Sequence, residues 1–90
     1  IRGNLAENIT GFNDGNDFMI RDSDGTINML ITNPGGNMLI RGFLNEDQSI
    51  LIPSLNSFII EDSLGDIVAY VDADGSLFLK GVVEENAAFG

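Results

Sequence analysis

The chain has 90 residues, of which 14 are acidic and 4 basic, and its net charge is −10 at pH 7. A charge of that sign repels nucleic-acid phosphates and anionic lipid heads, so we predict no nucleic-acid partner. No apolar run approaches the roughly 20 residues of a membrane-spanning helix, which predicts no membrane insertion. The chain contains no Cys and no His, the usual members of nucleophile–base pairs, so we predict no catalytic residues and no enzymatic activity.

An internal repeat is the strongest pattern in the sequence. The triplets Ile1-Arg2-Gly3, Ile40-Arg41-Gly42 and Leu79-Lys80-Gly81 each combine an apolar residue, a basic residue and glycine, and they are 39 residues apart. The same register places three acidic residues in corresponding positions: Glu7, Glu46 and Glu85. Repetition at such a period is typical of arrays of similar structural units.

A second repeated block defines the units along the chain. Residues 18–25 match residues 58–65 with an offset of 40 instead of 39. One extra residue after Gly42 and one fewer before Gly81 account for the difference, and turns tolerate such changes in length. We therefore divide the chain into the end of a preceding repeat (1–17), a full β repeat (18–56) and a second, truncated β repeat (57–90). Such a division predicts a segment of a longer array, or a subunit whose split repeat is completed by a neighbour.

Each repeat is predicted to form short β-strands, because β-rich runs recur between turn signals and helical periodicity is absent. In chain order the predicted strands are 18–21, 26–32, 37–41 and, more weakly, 50–52, followed by 58–61, 66–72 and 76–80. Short connections favour antiparallel neighbours, so each repeat is predicted to be a meander of three or four strands. The predicted fold class is all-β, with tandem meanders stacked as an elongated or oligomeric β-structure.

The predicted turns carry residues that favour tight reversals of the chain. Residues 22–25 and 62–65 begin with Asp, whose side chain bonds nearby backbone, and end with Gly, which readily adopts positive φ. Residues 72–75 fit a type I turn followed by a left-handed Gly. Residues 33–36 place Gly after Pro, which predicts a type II turn.

The second strand of the later repeat is apolar on both faces. Ile67, Ala69 and Val71 alternate with Val68 and Tyr70, so each face of the strand carries apolar side chains. A strand of that kind is typical of packing between two layers. We therefore expect a neighbouring repeat or another chain to cover the second face.

Clusters of acidic and amide residues raise the alternative of a cation site. Calcium takes six to eight oxygen ligands, and the clusters at 13–17, 22–25 and 72–75 supply such oxygens. None has the closing Glu and the spacing of an EF-hand loop, and Asp and Gly are ordinary hairpin residues. The main interpretation is turns without a cofactor; the alternative is calcium bound by Asp14, Asp17 and Asp24.

The basic residue of each triplet recurs at the period of the three glutamates. Arg2, Arg41 and Lys80 could therefore form a ladder of ion pairs with those glutamates, and its value would be in fixing the register of the repeats. Exposed pairs contribute only about 0–1 kcal/mol each. Solvated side chains are the alternative interpretation.

Residues 58–81, which end in Asp-x-x-Gly-x-Leu-x-x-x-Gly, resemble β-rich tandem repeats of microbial extracellular surface proteins and stalk segments of phage tail fibres. The resemblance implies elongated, often trimeric or polymeric structures without catalytic residues. The pattern is also similar in length to β-propeller blades. A propeller closes with about four to eight blades, however, and this chain holds little more than two repeats.

Two functions are consistent with these patterns. The first is a structural subunit of an extracellular fibre, filament or stalk that self-associates through its strand edges and stacked repeats. The alternative is an extracellular adhesin-type module whose acidic turns bind calcium or glycans. Both predict a location outside the cell or on its surface.

Overall fold

The computed structural model describes residues 1–12, 15 and 17–89. These residues form eight strands, in chain order β1 (Leu5–Ala6), β2 (Phe18–Arg21), β3 (Ile27–Ile31), β4 (Met38–Ile40), β5 (Leu44–Asn45), β6 (Phe58–Glu61), β7 (Ile67–Val71) and β8 (Leu77–Leu79). Within the described residues, no helix has the length and apolar character needed to cross a membrane. The prediction of an all-β fold is confirmed.

The strands form two four-stranded sheets with the same topology. The first sheet has the order β1-β4-β3-β2 and the second the order β5-β8-β7-β6. In each sheet the last three strands in sequence form an antiparallel meander, and the first strand pairs parallel to the last. Both meanders also carry a register shift at the same place, after Ile20 and after Ile60. The tandem meanders predicted from the sequence are therefore confirmed.

The fourth strand of each sheet is not the one predicted. Residues 50–52 form no strand, and the side chains of Ile50 and Ile52 are 72% and 79% exposed. The fourth strand is instead β1 or β5, which joins the sheet from the segment before the meander. A two-residue strand is too short to show alternation in sequence, and its parallel partner lies more than 30 residues away along the chain.

Three turns use an aspartate side chain, which the sequence predicted for residues 22–25 and 62–65 but not for residues 72–75. Asp22 Oδ1 accepts hydrogen bonds from the backbone N–H groups of Asp24 and Thr26, at 2.9 and 3.0 Å. Asp62 and Asp72 accept the equivalent pairs of bonds in their own turns. The glycine that ends each turn has φ between 81° and 87°, a backbone conformation that glycine adopts without steric cost.

The turn at residues 33–36 differs from the predicted type II turn. The peptide bond between Asn33 and Pro34 is cis, whereas a type II turn places a trans proline at its second position. The Gly36 N–H donates to the Thr32 carbonyl at 2.8 Å, one residue further than in a β-turn. The sequence could not distinguish these forms, because the cis and trans isomers of an X-Pro bond differ little in free energy.

The hydrophobic core lies between the two sheets. Five buried side chains form it: Ile20, Met29, Ile40, Val71 and Leu77. The opposite face of the second sheet is partly covered from within, because the Tyr70 ring stacks on Phe78 with 4.7 Å between centroids. Tyr70 and Val71 are buried on opposite faces of β7, which confirms that the strand carries buried side chains on both faces.

Candidate functional site

The contact between the two sheets is the main structural feature available for a function, and we call it the inter-repeat interface. Ile20, Met29 and Ile40 from the first sheet pack against Val71 and Leu77 from the second. Ile40 is fully buried. Each sheet packs its apolar side against the other, and Val83 from the segment after β8 packs against the same core, so neither meander buries its apolar face alone.

A glutamate joins the two sheets beside this core. The Glu7 carboxylate accepts a hydrogen bond from the Leu44 N–H, at 2.6 Å from Oε2. The following backbone continues the contact, since the Asn8 N–H donates to the Gly42 carbonyl at 2.9 Å. Asn8 has φ 56°, a left-handed conformation that Asn tolerates better than most residues. These bonds form one junction between successive repeats.

The same junction occurs three times and closes into a ring. Glu46 Oε2 accepts from the Val83 N–H, and Glu85 Oε2 accepts from the Leu5 N–H, both at 2.7 Å. The residue after each glutamate also has φ between 54° and 56°. The bonds therefore run from the first sheet to the second, from the second sheet to residues 83–87, and from these back to the first sheet.

The three glutamates surround a central cleft of about 300 Å³. It is lined by Glu7, Glu46, Glu85, Leu5, Leu44 and Val83, so each of the three junctions contributes one acidic and one apolar side chain. We call Glu7, Glu46 and Glu85 the axial glutamates. The 39-residue spacing in the sequence identified these residues. Their cyclic arrangement could not be predicted, because the spacing does not specify how many repeats close the ring.

The axial glutamates have partners other than those expected from an ion-pair ladder. Their carboxylates accept hydrogen bonds from backbone N–H groups. Arg41 Nη2 instead donates to Asn28 Oδ1 at 2.7 Å and to the Ala73 carbonyl at 2.8 Å. Arg41 therefore ties the first sheet to the turn between β7 and β8. Because Arg41 directly follows β4, its side chain reaches across the inter-repeat interface to the second sheet.

Asn28 is a residue of this interface that the sequence did not single out. Its side chain is 3% exposed, and its Nδ2 donates to the Asp72 carbonyl at 3.4 Å. Together with Arg41 it forms a polar clamp between the sheets. Its counterpart in the second repeat is Val68, so the repeat pattern carries no signal for an amide at this position.

The glycine of each triplet lies at the same position in the repeat but in a different environment. A Cβ placed on buried Gly3 would approach Asn37, and one on buried Gly42 would approach the corresponding Ser76. No atom lies within 4 Å of a Cβ placed on exposed Gly81. Gly3 and Gly42 thus mark close approaches between repeats, and Gly81 faces open space.

The second sheet is less covered on the face that corresponds to the covered face of the first, and we call its exposed part around Ile60 the uncovered face. Ile20 is 6% exposed, whereas Ile60, at the same repeat position, is 39% exposed. Lys80 is likewise exposed, whereas its counterpart Arg41 is half-buried in the polar clamp. The described residues thus bury this surface in one repeat and leave it accessible to solvent in the other.

The residues considered for calcium lie in different settings. Asp14 lies outside the described residues. Asp17 Oδ1 accepts from the Asn33 N–H at 2.8 Å, and exposed Asp24 donates its own N–H to Asp22. Among residues 1–12, 15 and 17–89, no three acidic, His or Cys side chains are grouped so that they could hold a metal ion. Calcium at these positions stays a prediction.

A substitution at Asp72 separates a turn-capping role from a charge-dependent one. Its Oδ1 accepts from the N–H groups of Asp74 and Ser76 at 3.0 and 2.9 Å. We expect Asp72→Ala to lower the free energy of unfolding by about 1–2 kcal/mol, because two backbone donors lose their acceptor. Asp72→Asn retains that oxygen and should lie within about 0.5 kcal/mol of the wild type. Urea unfolding measures both; equal losses would contradict the capping role.

No protein-family model, curated protein or solved structure matches the chain. The resemblance of residues 58–81 to surface and fibre proteins therefore stays a prediction. The function is inferred below from the inter-repeat interface and from the surfaces that it leaves exposed.

Proposed function

We propose that this protein is a structural subunit of an extracellular fibre, filament or stalk, and that it assembles through the uncovered face of its second sheet. The observation that carries the proposal is the difference between Ile20 and Ile60, which are 6% and 39% exposed at one repeat position. Burial of apolar surface is the main driving force for association. The face around Ile60 is equivalent to one that is buried in the first repeat, so we expect association to bury it.

The occupant that fits this face best is a second copy of the chain. The second sheet contributes Val71 and Leu77 to the inter-repeat interface. Their counterparts in the first sheet are Ile31 and Met38, which are half-buried. Ile31 and Met38 pack partly against the core of their own chain, and their exposed parts give the first sheet a surface of the type that covers Ile20. A contact between the second sheet of one copy and the first sheet of the next is heterologous, and such contacts form rings or filaments.

The edge of the second sheet supports the same conclusion. All four residues of β6, the outermost strand, are exposed, including Phe58 at 44% and Ile59 at 45%. Leu55, just before the strand, is 89% exposed. An exposed apolar edge strand is a template for pairing with another chain unless charges or prolines interrupt it. In β6 the only charged residue is Glu61, at its end.

The absence of enzymatic activity and a location outside the cell or on its surface belong to the same proposal. A subunit that functions only by assembling needs complementary surfaces and no group of catalytic residues. Its net charge of −10 supports solubility of the free subunit until the apolar faces meet.

Ile60→Lys tests the assembly directly. Lysine on the uncovered face would have to be desolvated in the contact, so we expect this variant to remain monomeric while the wild type associates as its concentration rises. Leu64→Lys is the matched control, because Leu64 is 84% exposed in the turn after β6 and should associate like the wild type.

Light scattering coupled to size exclusion and negative-stain electron microscopy provide the two readouts. Circular dichroism of both variants verifies that the fold is retained. A wild-type protein that stays monomeric at every concentration, or an Ile60→Lys variant that associates normally, would refute the proposal.

A further inference from the structure

The three axial glutamates belong to three equivalent segments, which we call the axial segments: residues 1–9, 40–48 and 79–87. Each segment donates one backbone hydrogen bond to the next, at 2.9 Å in all three cases: Asn8 to Gly42, Asp47 to Gly81 and Asn86 to Gly3. The ring of axial segments therefore has three equivalent positions, although the described residues form two sheets.

Two of these positions hold a meander. At the first, the Met38 N–H donates to the Asn4 carbonyl, where the pairing of β4 with β1 begins. The Gly3 N–H donates to the Gly36 carbonyl, in the turn before β4. Both distances are 3.0 Å, and the second position has the equivalent two bonds at the same distance. Each meander is thus held by its third strand and by the turn that precedes this strand.

The third axial segment presents the same backbone groups without a meander. Among the residues that the structure describes, the N–H of Gly81 and the N–H and carbonyl of Val82 have no hydrogen-bond partner. Both residues are exposed, whereas Gly42, at the place equivalent to Gly81, is buried. A row of unpaired backbone N–H and C=O groups is a template for pairing with another strand.

Ile1 marks the end of the strand that would pair there. Its carbonyl accepts a hydrogen bond from the Ala87 N–H at 2.9 Å. Ile40 and Leu79, the last residues of β4 and β8, accept the equivalent bonds at 3.0 and 3.1 Å. The Ile1 nitrogen also donates to the Glu84 carbonyl, so this residue lies beside the third axial segment. Ile1 therefore occupies the last position of a third meander strand.

The cleft beside Ile1 is mainly apolar. It has a volume of about 390 Å³ and is lined by five apolar residues and one acidic residue: Ile1, Val82, Val83, Ala87, Phe89 and Glu84. Val82 is 51% exposed and Phe89 is 73% exposed. A strand that pairs with residues 82–85 removes such side chains from water, which favours its binding.

We propose that this third position binds one further β-meander of the same repeat pattern, presented by another polypeptide. Its third strand pairs parallel with residues 82–85, as β8 pairs with β5. The glycine of its preceding turn lies against Lys80, as Gly75 lies against Arg41 in the second sheet. The partner thereby completes the ring with a third sheet.

The unpaired edge fits a meander whose own third strand is also unpaired. A second copy of the chain does not offer one, because its β4 and β8 pair with its own axial segments. A further meander carries counterparts of Val71 and Leu77, which pack with Ile20 within one chain, and these cover Ile60 in the same way. The meander and a second copy compete for Ile60, but this binding function goes beyond the proposed assembly and does not depend on it.

A synthetic peptide of residues 57–78 is the probe, because it ends one residue before the position that Ile1 occupies. In fluorescence anisotropy titrations we expect the labelled peptide to bind the full chain saturably. The chain is kept below any concentration at which light scattering detects its association. A Leu77→Asp peptide should bind at least about tenfold more weakly, because it places a carboxylate in an apolar contact.

A variant of the chain and amide hydrogen exchange locate the site. A Cβ on Gly42 would lie 2.8 Å from the Ser76 backbone nitrogen, and a Cβ on Gly81 would meet the peptide in the same way. We therefore expect Gly81→Ala to weaken peptide binding about tenfold. Leu64→Ala, in an exposed turn, is the matched control and should bind like the wild type. Bound peptide should slow exchange of the amides of residues 80–85.

Several results would overturn the inference: no binding of the peptide, equal affinities of the two peptides, equal affinities of the wild type and Gly81→Ala, or protection confined to residues outside 80–85. The assembly is tested separately. Self-association of a chain that does not bind the peptide would refute only this inference, and peptide binding by a chain that stays monomeric would refute only the assembly.

Discussion

Ile20→Ala is expected to lower the free energy of unfolding by about 2–5 kcal/mol, whereas Ile60→Ala should change it by less than about 1 kcal/mol. The two residues share one repeat position and one place in the sheet register. Ile20 is 6% exposed within the core, and its truncation leaves a cavity between the sheets. Ile60 is 39% exposed, so its truncation removes fewer contacts.

Thermal or urea unfolding at low protein concentration measures both effects without a contribution from association. A domain of 90 residues has a total stability of roughly 5–13 kcal/mol, so the Ile20 variant should lose a large part of it. A loss of 2 kcal/mol corresponds to a Tm decrease of at least about 8 °C. Leu64→Ala, in an exposed turn, is the control. Equal losses for Ile20→Ala and Ile60→Ala would show that the two faces are equally buried.

The sequence predicted those parts of the fold that local patterns determine. Strands β2 and β6 have the predicted bounds, because each is a short apolar run that is followed by an Asp-containing turn. Strands β3 and β4 are one residue shorter at each end than predicted. The aspartate-capped turns followed from the same reasoning, since the capping bonds join residues two to four positions apart.

The relation between the repeats could not be predicted in the same way. Strand β1 pairs parallel to β4 across more than 30 residues, and two residues carry no periodicity. The sequence showed that Glu46 recurs at the repeat period, but its acceptor role depends on the backbone of Val83 in the next repeat. Asn28 was missed for a related reason: its amide is explained only by Arg41 and a turn of the other sheet.

Gly42→Ala is expected to destabilise the protein by about 1–3 kcal/mol, whereas Gly81→Ala should stabilise it by about 0.4–1 kcal/mol. A Cβ on Gly42 would lie 2.8 Å from the Ser76 backbone nitrogen and 3.0 Å from its Cα. Because these are backbone atoms, rotation of the Ser76 side chain cannot relieve the overlap. The segment at Gly42 would have to move away from the start of β8, which weakens the parallel pairing of β5 with β8.

Gly81 occupies the same position in the triplet without such a neighbour. No atom lies within 4 Å of the added Cβ, and its φ lies outside the left-handed region, so alanine fits without strain. The substitution reduces the conformational entropy of the unfolded chain, which is the source of the expected gain. Urea unfolding of both variants at low concentration measures the difference. Destabilisation of similar size at both positions would contradict the assignment of Gly42 to a contact between repeats.

The Gly81 variant also distinguishes the free subunit from the assembly. If a further copy contacts the end of the second sheet that carries exposed Lys80 and Gly81, its surface lies close to Gly81. The methyl group that stabilises the monomer then overlaps with the neighbouring copy. We therefore expect Gly81→Ala to unfold at higher urea concentration than the wild type when monomeric, yet to associate more weakly in light-scattering titrations. Unaltered association would show that copies meet through a different contact, away from Gly81.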